Sequence, residues 1–216
     1  MELPIADRAA AGQALGEALT AYADRQDVIV LALPRGGVPV AYQAARRIHA
    51  PLDLMLIRKL GAPGREELAM GAIAAGGLRV LNEDIVSALR IDRGTIDAVA
   101  QREQQELERR LRAYRGDRPL PDLHGRTLIL VDDGIATGAT MRAAIAALRQ
   151  QQPSRVVVAV PVAPPDAVER MRTEADEVVC LETPEPFLGV GRWYRDFPQL
   201  RDADVQKIMA DVWGER

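Results

Sequence analysis

A single cysteine, Cys180, stands in 216 residues, so no internal disulfide can form. It lies in the apolar run Val178-Val179-Cys180-Leu181, far in sequence from any histidine, and reads as a core thiol in a strand rather than a nucleophile. There are two histidines, His49 and His124, too few alongside one cysteine for a structural zinc site. No apolar run approaches the ~20 residues of a membrane helix, which argues against a membrane partner. The first residues, MELPIADRAAAG, lack the basic segment and apolar core of a secretory signal, so a cytoplasmic setting is expected. Net charge is −3 and the pI is near 5.5, so no basic field draws the chain to nucleic acid. The 27 residues before the first expected strand are also too few for a winged helix. Aromatics make up only 4% of the chain, so any cluster of them stands out.

What is present suits a soluble α/β protein. The chain is 48% hydrophobic and 27% charged, and its length fits one domain over residues 1–216 with a small lobe. Ala11, Leu15, Leu19 and Tyr22 recur at helical spacing within an amphipathic helix over 7–26. Strands are expected at 28–33 and 52–57, with a helix over 38–49 between them. Arg58-Lys59 and the loop GAPGREE follow, then a hairpin around Gly76-Gly77. Helices are expected at 83–90 and 93–114, the longer one carrying the i,i+4 pairs Glu106–Arg110 and Glu108–Arg112 on a solvated face. From residue 127 strand and helix alternate, at 127–132, 139–151, 155–161, 165–174 and 177–182, before a helix near 203–213. That alternation predicts a parallel sheet with helices on both faces and ligands at the carboxyl ends of its strands. A core of about 28–182 is expected, with a hood from the N-terminal segment and about 183–216.

The segment RTLILVDDGIATGAT, Arg126 to Thr140, carries the chemistry. Gly134 and Gly138 permit unusual backbone angles and close approach of a ligand. The amides of about 137–140 open a helix, lack intrahelical partners and favour a phosphate. Thr137 and Thr140 add hydroxyl donors. Asp132 and Asp133 would repel that phosphate unless a neutral hydroxylated group lay between. A ribose 5-phosphate supplies it: its phosphate enters the amide cup and its 2- and 3-hydroxyls donate to the carboxylates.

ALPRGGVPVAYQAA places Arg35-Gly36-Gly37, after Pro34, in a second permissive loop at a helix start. That loop can nest a second anion beside a guanidinium. Arg58 and Lys59 add positive charge. A sugar with phosphates on both sides matches, and phosphoribosyl pyrophosphate is such a molecule. A receiver domain would place its acidic pair at the first strand and has no use for GIATGAT. A Walker loop needs Gly-Lys-Ser/Thr, and the dinucleotide fingerprint needs a different glycine spacing.

LILVDDGIATGAT resembles the phosphoribosyl-pyrophosphate motif of type I phosphoribosyltransferases. LPRGGVPVA resembles that family's pyrophosphate loop, and IRKLGAPGREE the segment where a mobile loop starts in adenine-type members. The three together resemble a group of bacterial phosphoribosyltransferase-domain proteins of unsettled substrate. The resemblance implies a parallel-sheet core with a small hood, and roles for single residues. Asp132 and Asp133 would hold the ribose diol, with magnesium (Mg2+) arriving on the substrate. Gly134 and Ala136, Thr137, Gly138, Ala139 and Thr140 would hold the 5-phosphate. Arg35, Gly36 and Gly37 would meet pyrophosphate, helped by Arg58 and Lys59. The implied reaction replaces pyrophosphate at ribose C1 by a nitrogen nucleophile, and a homodimer is usual. A sensor binding the same ligand without turnover is the alternative. Hypoxanthine-guanine members carry a third aspartate where Ala136 stands, so a base-activating carboxylate would come from elsewhere. Glu66 and Glu67 are candidates, or solvated loop acids. Phe187, Trp193, Tyr194 and Phe197 read either as the core of a small lobe or, with Phe187 and Trp193 foremost, as a platform that stacks the acceptor base.

Overall fold

The computed structural model describes residues 3–214. Its centre is a five-stranded parallel sheet built from β1 (Val28–Ala32), β2 (Leu52–Leu54), β6 (Thr127–Val131), β7 (Arg155–Val162) and β8 (Glu177–Glu182). The spatial order is β2-β1-β6-β7-β8, every pairing parallel. β1 and β6 are buried at every position, as continuous apolar runs should be when helices cover both faces. Alternate side chains divide between two cores. Val28, Val30 and Ala32 join Ile129 and Val131 on one face; Ile29 and Leu31 join Leu128 and Leu130 on the other.

Helices α1 (Arg8–Ala18) and α2 (Gly37–Arg47) supply the first face through Ala11, Leu15, Val40 and Ala44. Helices α5 (Ala139–Arg149) and α6 (Pro165–Arg172) supply the second through Met141, Ile145, Val168 and Met171. The expected parallel sheet with helices on both faces is therefore present.

A second sheet of three antiparallel strands lies in the middle of the chain: β3 (Ile57–Ala62), β4 (Arg65–Ala74) and β5 (Leu78–Leu81), in that spatial order. Here the structure departs from the sequence reading. The strand expected over 52–57 ends at Leu54, and most of the expected loop after Lys59 is a hairpin. Pro63-Gly64 turns it, with Gly64 at φ +69° and Ala62 paired to Arg65, the residue pattern of a tight turn. The hairpin expected around Gly76-Gly77 is present as β4–β5. Asn82 caps α3 (Glu83–Ala88), and Asp92 caps α4 (Arg93–Arg115), which packs on β3 and β4. On α4 Glu106 closes its pair with Arg110 at 2.7 Å, whereas Glu108 accepts from Gln104.

The ends of the described chain meet. Ile5 pairs with Tyr194 in a parallel bridge, donating to the Trp193 carbonyl at 2.7 Å. The last helix, α7 (Asp202–Gly214), packs against α2 and α4. Among the described residues no helix is long and apolar enough to cross a membrane.

Candidate active site

β1 and β6 run side by side in register, Ala32 against Val131, so the loops that follow them leave the same sheet edge together. β1 has β2 on one side and β6 on the other, and such a switch point opens a crevice at the carboxyl ends of the strands. Leu33 donates to the Val131 carbonyl at 2.9 Å and holds the two loops at one level. The Pro34–Arg35 peptide in the first loop is cis.

The loops pack so closely that side chains are excluded. A Cβ on Gly36 would stand 2.1 Å from Asp133 Oδ2, and one on Gly37 would stand 2.5 Å from the Val131 carbonyl oxygen. Gly134 packs equally tightly under Val190.

Each loop runs into a helix: at α2 the Gly37 and Val38 amides donate to the Leu33 and Arg35 carbonyls at 3.1 and 3.2 Å and Pro39 has no N–H, whereas at α5, among the described residues, only the Ala139 amide has a long contact, 3.5 Å to Thr137 Oγ1. Gly36 caps α2 and Gly138, at φ +79°, caps α5; neither offers a side chain to the first-turn amides. By contrast Asp7, Asn82 and Asp92 cap α1, α3 and α4 with carboxylate or amide oxygens. The α5 start is an anion site, and the turn before α2 brings the Arg35 guanidinium to the neighbouring strand end. Ala136, Thr137, Ala139 and Thr140 are exposed around the α5 start.

Between the loops lies a cleft of about 510 Å³. Pro34, Arg35 and Gly36 line one side, Asp132, Asp133 and Thr140 the next, and Phe197 to Leu200 the far wall. Arg35 Nη1 lies 3.5 Å from Asp202 Oδ1 at the start of α7, and its side chain remains 39% exposed. Asp202 also accepts from the Tyr114 hydroxyl at 2.6 Å.

The two aspartates differ. Asp132 accepts the Asp133 amide at 2.9 Å, and its carboxyl pKa is raised well above the usual range, first by burial and then by the neighbouring negative charge. Burial also raises Asp133, but Arg8 opposes it. Arg8 Nε donates to Asp133 Oδ2 at 2.8 Å, Nη1 donates to the Pro198 carbonyl at 2.8 Å, and the guanidinium lies 3.8 Å from the Phe197 ring centre. Tyr194 donates its hydroxyl to the Asp133 carbonyl at 2.6 Å.

The domain profile described as "Phosphoribosyl transferase domain" matches residues 5–192. The chain belongs to the phosphoribosyl transferase domain family. Within it, the chain is 47% identical over 199 residues to the Mycobacterium tuberculosis protein Rv0571c, covering 92% of this chain and 45% of that one. It thus spans about half the length of the curated relatives it matches. The crystal structure of TT1426 from Thermus thermophilus superposes with a TM-score of 0.88 at 44% identity, over 98% of this chain and 99% of that one. A ribose-phosphate pyrophosphokinase from Xanthomonas campestris is 32% identical over 94 residues, 42% of this chain and 28% of that one.

In this phosphoribosyl transferase domain the cleft gathers Pro34, Arg35, Gly36, Asp132, Asp133 and Thr140, with Gly37, Gly134 and the 136–139 loop next to them in the chain. It does not gather Arg58 and Lys59. Both lie on β3: Arg58 is gripped by Glu103 of α4 at 2.9 and 2.6 Å, and Lys59 meets Glu67 of β4 at 3.3 Å. With Glu66 these side chains line a separate depression. Phe187 and Trp193 pack against each other and the core, ring centres 6.3 Å apart, and it is Phe197 that reaches the cleft.

The sequence reading missed Arg8. The signal was present: Arg8 shares the stripe of Ala11, Leu15 and Leu19, where a charge on a buried face demands a partner. Among the described residues no group of three or more His, Cys, Asp or Glu is arranged to hold a metal ion unaided. Two carboxylates at a phosphate cup do fit a magnesium ion that brings its other ligands on substrate phosphates and water.

Proposed function

We propose that this protein is a phosphoribosyltransferase that uses phosphoribosyl pyrophosphate and magnesium to transfer ribose 5-phosphate to a nitrogenous acceptor, a nucleobase in the first instance. The observation that carries the reading is the acidic pair set in one cleft between the α5 N-terminus and the Arg35 loop. Asp132 and Asp133 accept hydrogen bonds from the 2- and 3-hydroxyls. The amides and hydroxyls of 136–140 hold the 5-phosphate, and Arg35 with the Gly36 and Gly37 backbone holds the pyrophosphate. The bond from C1 to the pyrophosphate oxygen breaks and a bond from C1 to the acceptor nitrogen forms. Magnesium arriving on the substrate would neutralise charge on the leaving group, near Asp132 and Asp133.

With Asp132 and Asp133 engaged by the sugar hydroxyls, catalysis rests on orientation and on stabilising the leaving charge. Each tenfold in rate requires about 1.4 kcal/mol of added transition-state stabilisation. Arg35, half-exposed and lightly held by Asp202, is free to turn onto a departing oxyanion. The acceptor meets the wall of Phe197 to Leu200. In this reading the protein works in the cytoplasm as a homodimer, without nucleic-acid or membrane partners.

The test combines protein, magnesium and phosphoribosyl pyrophosphate with a panel of bases and measures released pyrophosphate. Release dependent on one acceptor supports the transferase. A second reading, a sensor that binds the same ligand without turnover, is favoured by the placement of Arg58 and Lys59 on acidic partners outside the cleft. Tight binding with no release from any acceptor would decide for the sensor.

A further inference from the structure

Arg8 is the one cation of α1 that enters the cleft, and its side chain is only 9% exposed. It touches three parts of the chain at once. Its Nε holds Asp133 Oδ2, its Nη1 holds the Pro198 carbonyl, and its plane covers the Phe197 ring. From the other side Gly36 packs close to the carboxylate, where a Cβ would stand 2.1 Å from Asp133 Oδ2. We propose that Arg8 is a positioning residue of the transfer reaction: it fixes the Asp133 carboxylate toward the sugar and ties that grip to the Phe197–Leu200 wall, so that ribose site and acceptor wall form as one unit. The inference rests on the transferase reading and goes beyond it, since nothing in the acidic motif or the phosphate loop requires a cation from the N-terminal helix.

The chemistry calls for arginine. Two separate N–H donors pointing to different acceptors, and a flat face for a ring, are what a guanidinium offers and an ammonium does not. The groups facing Asp133 are Asp132 beside it, Arg8 from α1, the Tyr194 hydroxyl on its backbone carbonyl, and Arg35 on the loop across the cleft. Arg8 and Arg35 are the cations, and only Arg8 is in contact.

The experiment compares wild type, Arg8→Lys and Arg8→Met. It measures affinity for magnesium phosphoribosyl pyrophosphate by calorimetry, and KM against kcat for the base that turns over in the panel above. Arg8→Met should weaken phosphoribosyl pyrophosphate binding and raise base KM, each about tenfold or more, in the range seen when a residue that orients a ligand-holding group is lost. Arg8→Lys, which keeps the charge but not the second donor direction or the flat face, should restore most of the phosphoribosyl pyrophosphate affinity and leave base KM raised. If Arg8→Met does not fold, Arg8→Lys carries the test through base KM. Wild-type phosphoribosyl pyrophosphate affinity in Arg8→Met, or a base KM within twofold of wild type in Arg8→Lys, overturns the role of Arg8 while leaving the transferase intact. Failure of the wild type to bind phosphoribosyl pyrophosphate overturns the transferase reading, and this inference with it.

Discussion

Gly36→Ala isolates the contact on which the acidic pair depends. Gly36 has φ −60° and ψ −38°, angles that alanine adopts without strain, so any effect must come from the added methyl. By itself alanine in a helical conformation would stabilise by about 0.5–1 kcal/mol. The methyl, however, would stand 2.1 Å from Asp133 Oδ2 and 2.5 Å from its Cγ. The carboxylate would have to move by about an ångström, because non-bonded carbon and oxygen do not approach so closely. Asp133 cannot move and keep its 2.8 Å bond to Arg8, and a hydrogen bond to a charged group is worth about 1.5–3 kcal/mol. The net cost is about 1–2 kcal/mol, which lowers Tm by roughly 2–8 °C in a chain of this size. Misplacement of a substrate-gripping group by about 1 Å can cost on the order of 100-fold. Calorimetric titration with magnesium phosphoribosyl pyrophosphate, paired with scanning calorimetry, measures both. Wild-type affinity in Gly36→Ala, or a higher melting temperature, would refute the claim that the two loops clamp Asp133.

Asp132→Asn should abolish ligand binding yet raise Tm at pH 7.5. The sign follows from the raised carboxyl pKa: ionising Asp132 in the fold is unfavourable, a cost absent below the unfolded pKa and complete above the folded one. The gain should therefore shrink as pH falls, and melts at pH 5 and 7.5 check it. Arg115→Met should destabilise by about 3–5 kcal/mol in denaturant titration, because it strands buried Asp53, which Arg115 pairs within the core. Cys180, whose thiol burial pushes up to about 11, should resist iodoacetamide at pH 8 in the folded protein and react promptly in urea.

The candidate site was legible where its residues are contiguous in the chain. Residues 127–140 hold a buried strand, two acids and a helix start, and each follows from the local order of side chains and glycines. The same holds for Pro34 to Gly37. The small sheet was half legible: Pro63-Gly64 is a turn signal, but the flanking Arg65-Glu66-Glu67 read as loop because three charged residues in a row seldom pair as a strand. Here only Arg65 pairs, with Ala62; Glu66 to Leu68 fall in an irregular stretch of the ladder at the exposed end of β4, where Lys59 reaches Glu67.

The order of residues by itself determined the alternating strands and helices, the acidic pair that follows β6, and the glycines that start α2 and α5. These depend on backbone rules acting over a few residues. Tertiary structure alone decided that Arg8 reaches Asp133 across 125 positions, that Phe197 and not Phe187 or Trp193 faces the cleft, and that Arg58 and Lys59 turn to Glu103 and Glu67. A side chain's distant partner is set by how whole helices and sheets pack, and local sequence carries no term for that.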